Sequence, residues 1–218
     1  MEFIYGEQEI SHLMKKDKRL GDAIARIGHV SRTVESDLFT SVIHQIIGQQ
    51  ISMAAQRTVW KRFCDAVGDV TAANVCAKTA EELQSLGMSR RKAEYILDFS
   101  RKVHAGEFDI DALSDMDDQA VKDALCALRG IGPWTAEMLM IFCMQRPDIV
   151  SYGDLAILRG MRMLYRKREI DRKTFDRYCK RYSPYGSVAS LYLWAIAGGA
   201  LPELTDPAAP KQKGPVKK

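Results

Sequence analysis

A short glycine-rich turn between two apolar helical patterns constrains the fold of this chain more than any other feature. The turn reads Leu128-Arg129-Gly130-Ile131-Gly132-Pro133-Trp134-Thr135-Ala136. Gly130 and Gly132 supply the positive φ or the close approach that so short a turn needs, and Pro133 suits the first position of a helix. Apolar residues recur at helical spacing on both sides, at Val121, Ala124, Leu125 and Leu128 and at Met138, Leu139, Ile141 and Phe142. The pattern predicts two helices joined as a tight hairpin.

The start of the second helix in this hairpin is a candidate phosphate site. The first N–H groups of a helix have no partner within it, and the positive end of the helix dipole lies there. Glycine leaves these groups uncovered, which suits contact with a phosphate. We therefore expect Gly130, Ile131, Gly132 and Thr135 to hold a phosphate backbone.

The rest of the chain also has the patterning of helices. Ser36, Ser52, Thr79 and Ser89 stand where N-caps are expected, and Thr79 forms a capping box with Glu82. No run of strict apolar-polar alternation is long enough for a strand. The sequence predicts an all-α protein of about ten helices.

Composition limits the class of protein. Hydrophobic residues make up 46% of the 218 residues, enough for a substantial core. The longest apolar stretch, 191–201, is shorter than the roughly 20 residues of a membrane span. The five cysteines include no CxxC pair and indicate reduced thiols. We expect a monomer without membrane contact, located in the cytoplasm or nucleoid.

Positive charge is concentrated in one segment. The net charge is only +4, but residues 159–181 hold ten basic residues against three acidic ones. A solvated helix face and a phosphate-contacting face both fit this pattern.

Asp154 opens a further helical pattern twenty residues after Trp134. An aspartate before Leu155, Ile157 and Leu158 is an ordinary N-cap. A carboxylate there could also meet positive charge during a reaction, and the two roles are compatible.

With this aspartate the hairpin resembles the helix-hairpin-helix DNA glycosylases, and within them the 3-methyladenine DNA glycosylase II group. Further matching segments are Ile46-Ile47-Gly48-Gln49-Gln50-Ile51-Ser52, Leu86-Gly87-Met88-Ser89-Arg90-Arg91-Lys92-Ala93, and Pro184-Tyr185-Gly186 before Tyr192-Leu193-Trp194. The resemblance implies one domain over residues 1–205, built of two helical lobes with a DNA-facing cleft, followed by a flexible basic tail at 206–218. It implies a compact form without the small β domain of longer members.

The resemblance also implies roles for individual residues. Asp154 would stabilise the positive charge that develops on deoxyribose when the N-glycosidic bond breaks. Trp134 stands where strand-cutting members carry a Schiff-base lysine, so a monofunctional glycosylase is expected. The aromatic pocket for cationic alkylated purines would comprise Trp134, Trp194 and Tyr152, with Met138 where some relatives have another aromatic residue.

Two further sites follow from the same resemblance. Gln50, Ile51 and Ser52 are candidates for the wedge that fills the gap left by a flipped nucleotide in double-stranded DNA. Main-chain carbonyls of Leu128 and Gly130 would hold a structural monovalent cation. An iron–sulfur cluster is not expected, because only Cys179 lies beyond Cys143.

Two alternatives stay open at this stage. In one, the hairpin clamps phosphate in a non-catalytic DNA-binding module and Asp154 only caps its helix. In the other, the enzyme excises deaminated or mismatched bases.

Overall fold

The computed structural model describes residues 1–209, so most of the tail expected at 206–218 lies outside the described residues. The described part contains twelve α-helices and no sheet, with one isolated bridge between Glu2 and Thr33. The helices are α1 (Glu7–Lys16), α2 (Lys18–Ile27), α3 (Leu38–Gly48), α4 (Met53–Val67), α5 (Ala72–Cys76), α6 (Ala80–Ser85), α7 (Arg90–His104), α8 (Asp118–Cys126), α9 (Pro133–Phe142), α10 (Leu155–Tyr165), α11 (Arg172–Tyr182) and α12 (Gly186–Ala197), with a 3₁₀ helix at Asp111–Asp115.

The all-α prediction is confirmed. Twelve helices stand where about ten were expected, and two of them, α5 and α6, have only five and six residues. Ser52, Thr79 and Ser89 cap helices as predicted. Ser36 was predicted to be the N-cap of α3, and this is wrong. The neighbouring Asp37 is the N-cap and accepts the hydrogen bond from Thr40 N. Among residues 1–209, the helices lack the length and apolarity that a membrane span requires.

The described chain divides into two compact units. The first comprises Met1 and Val34–Gln145, and the second comprises Glu2–Thr33 with the chain from Arg146 onward. In the first unit, α3 packs against α4, α7 and α9. Side chains of α3, α7 and α9 form much of its core, where Ile43, Ile46, Ile96 and Ile141 are fully buried. Each such side chain stabilises the fold by about 1.5–3 kcal/mol.

The second unit is organised around the contact between α10 and α12. A Cβ at Gly160 would lie 2.9 Å from the carbonyl carbon of Leu193 and closer still to its oxygen. Only glycine therefore allows the two helices to approach this closely. Helix α12 is buried over most of its circumference, as expected of a helix that is apolar on every side. Together these contacts set the direction of α10, whose N-cap is Asp154.

A buried polar cluster joins the N-terminal segment to α10 and α11 within the second unit. Asp17 caps α2, accepting a hydrogen bond from Leu20 N, and is only 3% exposed. Its carboxylate also accepts hydrogen bonds from Tyr165 Oη at 2.8 Å and Arg181 Nη1 at 3.1 Å. Burial raises the pKa of Tyr165 and of Tyr182, which share a hydrogen bond, so both phenols stay protonated. The carboxylate is thus fully partnered, as buried charges must be.

Candidate active site

The hairpin between α8 and α9 forms as predicted, but its two glycines have different roles. Gly130 has φ +88°, and a Cβ there would lie 2.8 Å from Tyr95 Cε2 and closer to Cδ2. Gly132 has φ −97°, and a Cβ there would meet nothing within 4 Å. The expectation of a positive φ or a close contact within the turn is therefore confirmed for Gly130, whereas Gly132 has neither. Gly132 is the N-cap of α9, with Pro133 as the first residue and no side-chain cap.

The side chains of the other two predicted phosphate contacts face the interior. Ile131 is 5% exposed and Thr135 is 6% exposed. Any contact with DNA at these positions would therefore use main-chain groups, as the sequence analysis expected. Gly132, with open space above its Cα, offers the closest approach to the backbone.

Gln49 connects the end of α3 to the hairpin, and Lys92 connects it to α7. The amide Nε2 of Gln49 donates a hydrogen bond to the Gly130 carbonyl at 2.7 Å. Lys92 Nζ donates to the carbonyls of Ile47 at 2.9 Å and Gln49 at 2.6 Å. Burial lowers the pKa of Lys92, yet its ammonium group still supplies donors to carbonyls that the end of a helix leaves unpaired. Sequence reasoning missed both roles, since Lys92 is 43 residues from Gln49.

The structure distinguishes the three wedge candidates that follow Gln49. Ser52 accepts a hydrogen bond from Ala55 N at 3.2 Å and so caps α4. Ile51 is 39% exposed, beside a recess of about 210 Å³ that is also lined by Met88. Gln50 is exposed and has φ +57°, in the left-handed region that non-glycine residues rarely adopt. Among the three, Gln50 combines exposure with backbone strain, which is typical of functional positions.

Asp154 caps α10 with a buried carboxylate. Its Oδ1 accepts hydrogen bonds from Ala156 N at 2.8 Å and Ile157 N at 2.9 Å, and the residue is 7% exposed. The positive end of the helix dipole therefore faces this carboxylate. The neighbouring Leu155 is 81% exposed, so the buried acid lies directly beside accessible surface.

The loop that leads to Asp154 is held by the start of α12. Ile149 N donates to Ser187 Oγ at 3.0 Å, and Ser190 Oγ donates to the Ile149 carbonyl at 3.0 Å. Gly186 N donates to Asp148 Oδ1 at 2.9 Å. These bonds restrict the loop, so Asp154 enters α10 in a defined orientation.

The expected pocket residues are distributed over both units. Trp134, the second residue of α9, is 45% exposed and is not a core aromatic side chain, whereas Met138 on the same helix is buried. Trp194 is half-buried on α12 of the second unit. Tyr152 is half-buried beneath the Arg172 guanidinium, 5.2 Å from its ring centroid. Trp194 and Tyr152 thus share a unit with Asp154, and Trp134 shares one with the hairpin.

The proposed cation ligands are already engaged. The Leu128 carbonyl accepts a hydrogen bond from Ile131 N at 3.1 Å, and the Gly130 carbonyl accepts one from Gln49. A carbonyl oxygen has two lone pairs, so each of these oxygens keeps one for the monovalent ion, and that site stays a prediction. In the described range no group of three or more His, Cys, Asp or Glu side chains could hold a metal ion.

Comparison with known proteins decides the family. The model of the HhH-GPD superfamily of base excision DNA repair proteins matches residues 43–184, a range that includes the hairpin and Asp154. This chain belongs to the HhH-GPD superfamily.

Similar proteins share the architecture of this HhH-GPD protein. A DNA-3-methyladenine glycosidase structure from Bacillus halodurans is 33% identical, has a TM-score of 0.85 and covers 93% of this chain and 95% of its own. DNA-3-methyladenine glycosylase 1 of Schizosaccharomyces pombe is 24% identical over 209 residues, covering 92% of this chain and 91% of its own. A structure of the 3-methyladenine DNA glycosylase Mag1 from the same yeast, in complex with abasic DNA, has a TM-score of 0.74 at 22% identity. The match covers 87% of this chain and 96% of the Mag1 chain. The resemblance to the 3-methyladenine group is confirmed, and residues 1–209 contain no β domain, as the compact form predicted.

The basic segment of this HhH-GPD protein is partly neutralised. Arg162 forms a two-bond pair with Asp206, at 2.9 and 2.6 Å, and Arg172 pairs with Asp176 at 2.8 Å. Arg181 contacts Asp17. At least three of the ten basic residues between 159 and 181 therefore serve internal ion pairs.

Proposed function

We propose that this HhH-GPD protein is a DNA glycosylase that hydrolyses the N-glycosidic bond of alkylated purines, 3-methyladenine foremost and 7-methylguanine among others, in double-stranded DNA. The observation that carries the proposal is Asp154, a buried carboxylate on the N-terminus of α10 beside accessible surface. The names of the similar proteins support the substrate class.

The carboxylate of Asp154 suits the chemistry of bond cleavage. The alkylated base leaves with the electron pair of the C1′–N bond, and the sugar passes through an oxocarbenium-like state. Asp154 stabilises the positive charge on that sugar. Water then adds its oxygen to C1′, and the proton it loses passes to the carboxylate or to solvent. Since an N3- or N7-alkylated purine is cationic before cleavage and neutral after it, the leaving base needs little acid catalysis.

Trp134 supports hydrolysis without strand cleavage. An indole ring has no amine that could form a Schiff base with C1′ of the sugar. We therefore expect an intact abasic site as the product. Borohydride treatment during turnover tests this, because a trapped covalent protein–DNA adduct would refute the monofunctional mechanism.

Aromatic side chains supply the proposed selectivity for cationic bases. Trp134 is 45% exposed, and a positively charged purine stacked on an indole ring gains about 1–2 kcal/mol from cation–π attraction once desolvated. Trp194 and Tyr152 are the further candidates for this pocket. In this proposal Gln50 enters the DNA stack after the damaged nucleotide leaves it.

The decisive experiment compares wild type with Asp154→Asn on methylated duplex DNA. Asparagine keeps a side-chain oxygen for the cap but removes the charge. We expect wild type to release free 3-methyladenine without strand breaks before alkali, and the variant to bind DNA without releasing base. The matched control is Asp171→Asn, which makes the same change at the exposed N-cap of α11 and should leave release unchanged.

Other outcomes would redirect the assignment. Tight DNA binding without release by wild type would indicate a non-catalytic module. Release of deaminated or mismatched bases, but not of alkylated purines, would support the other alternative.

A further inference from the structure

One tyrosine ring holds two arginines beside the hairpin. The ring of Tyr95, on α7, packs so closely on Gly130 that a Cβ at this position would force the ring to move. The guanidinium carbons of Arg91 and Arg129 each lie 5.4 Å from the centroid of this ring. Arg91 Nε also donates a hydrogen bond to Tyr95 Oη at 2.5 Å. The ring therefore places two cationic groups next to the turn that carries Gly130.

The charge of these two arginines is not neutralised by acidic side chains. Both are exposed, and neither forms an ion pair with any residue in the described range. Arg90, one position before Arg91, differs because it pairs with Glu81 at 3.0 Å and with Glu94 at 3.1 Å. Cation–π contact orients a guanidinium without cancelling its charge. The donors of Arg91 and Arg129 stay available to an external anion.

The chemistry of that anion follows from the donors and from their position. A guanidinium presents planar, paired N–H donors that match two oxygens of a phosphate. The adjacent hairpin carries Gly132, whose main chain is open to close approach. An extended polyanion with regularly spaced phosphates would engage the hairpin and both arginines together. A DNA strand has this chemistry.

We propose that Arg91 and Arg129 form a second phosphate grip, which contacts the DNA backbone beside the hairpin, with Tyr95 as the residue that positions them. The inference rests on the proposed function only in taking duplex DNA as the ligand. The two arginines increase the affinity for DNA of any sequence, and they take no part in bond cleavage.

The test is the salt dependence of binding to an unmodified DNA duplex. Each phosphate contact contributes a slope of about −0.9 to log K against log salt concentration. We expect Arg91→Gln and Arg129→Gln each to reduce the slope by about 0.9, and the double variant by about 1.8. When the salt concentration is raised from about 50 to 200 mM, wild type and the double variant both lose affinity. The factor by which affinity falls should be about 12 times smaller for the double variant. The control Arg90→Gln removes an exposed arginine that is already paired and should leave the slope unchanged.

Three results would overturn the grip. The first is an unchanged slope in the double variant, and the second is an affinity loss of the same factor at every salt concentration. The third is an equal slope change in the Arg90→Gln control. Melting curves confirm that the variants fold. Base release by wild type is measured in parallel and separates the two proposals. If wild type releases base but the double variant has an unchanged slope, only the grip is rejected. If wild type does not bind DNA, both proposals are rejected.

Discussion

Replacing Gly130 by alanine tests the structural basis of the hairpin. The residue has φ +88°, where an L-amino acid costs about 1–2 kcal/mol relative to glycine. The new Cβ would also lie 2.8 Å from Tyr95 Cε2 and 3.1 Å from Cγ, so the ring must move. Forcing an extra methyl into a packed site costs roughly 1–3 kcal/mol.

The two costs add because one concerns the backbone and the other the packing of the ring. Gly130→Ala should therefore lower the free energy of unfolding by about 2–5 kcal/mol. For a chain of this size each kcal/mol corresponds to about 2–4 °C, so the melting temperature should fall by roughly 4–20 °C. Thermal melting followed by circular dichroism measures this directly.

Gly132→Ala is the matched control, two residues along the same turn. Its φ is −97° and its Cβ would meet nothing within 4 Å, so the stability should change by less than about 1 kcal/mol. The methyl group would instead stand where a phosphate is proposed to approach, and it should weaken DNA binding. If Gly130→Ala melts like wild type, or if both variants lose stability equally, the reasoning about the turn is wrong.

The remaining predictions concern other contacts. Lys92→Met should lower the free energy of unfolding by about 1–3 kcal/mol, because it leaves the carbonyl groups of Ile47 and Gln49 without donors. The same change should slow base release. Asp17→Ala should lower the free energy of unfolding by about 2–5 kcal/mol, because it removes the N-cap of α2 and the charged acceptor of the buried Tyr165 hydroxyl. Trp134→Ala should lower kcat/KM for alkylated purines about 5- to 30-fold, with little loss of stability, since the side chain is half exposed. Burial lowers the pKa of His44 below 6.5, so the unfolded chain binds the proton more readily. The stability that neutral His44 contributes is therefore complete above about pH 6.5 and declines as the pH falls toward its folded pKa.

Each of these predictions has a defined check. Lys61→Met and Asp65→Ala remove partners of an exposed ion pair, and each should leave the free energy of unfolding in denaturant titrations close to that of wild type. Equally small changes at Lys92 and Asp17 would contradict the roles assigned to them. For Trp134, equal losses on alkylated and neutral substrates would exclude selective stacking. For His44, chemical unfolding between pH 7.5 and 5.5 should show a weaker pH dependence in His44→Asn than in wild type, and identical slopes would contradict the assignment.

The features that the sequence determined by itself depend on neighbours along the chain. The caps at Ser52, Thr79 and Ser89 were predicted correctly because each side chain bonds to a backbone N–H three residues later. Asp154 follows the same rule at α10. Helical periodicity likewise depends on residues three or four positions apart, which is why the all-α fold could be predicted.

Local patterns were insufficient where two positions satisfied the same rule. Ser36 and Asp37 are both good N-caps, and only the course of the backbone selected Asp37. Positions 130 and 132 are both glycine, but only Gly130 has an aromatic ring packed against it. Gln50, Ile51 and Ser52 could not be ranked until the structure showed which of them serves as a cap and which is strained.

Only the tertiary structure could identify the groups that hold the candidate site in place. Gln49 bonds to Gly130 across 81 residues of sequence, and Tyr165 bonds to Asp17 across 148. Such pairs leave no periodic trace, because nothing in the local sequence specifies which distant carbonyl or carboxylate a polar side chain will meet. The sequence thus determined the helices, the hairpin and the aspartate, whereas folding decided which lysine, glutamine and tyrosine support them, since those contacts exist only once the helices have packed.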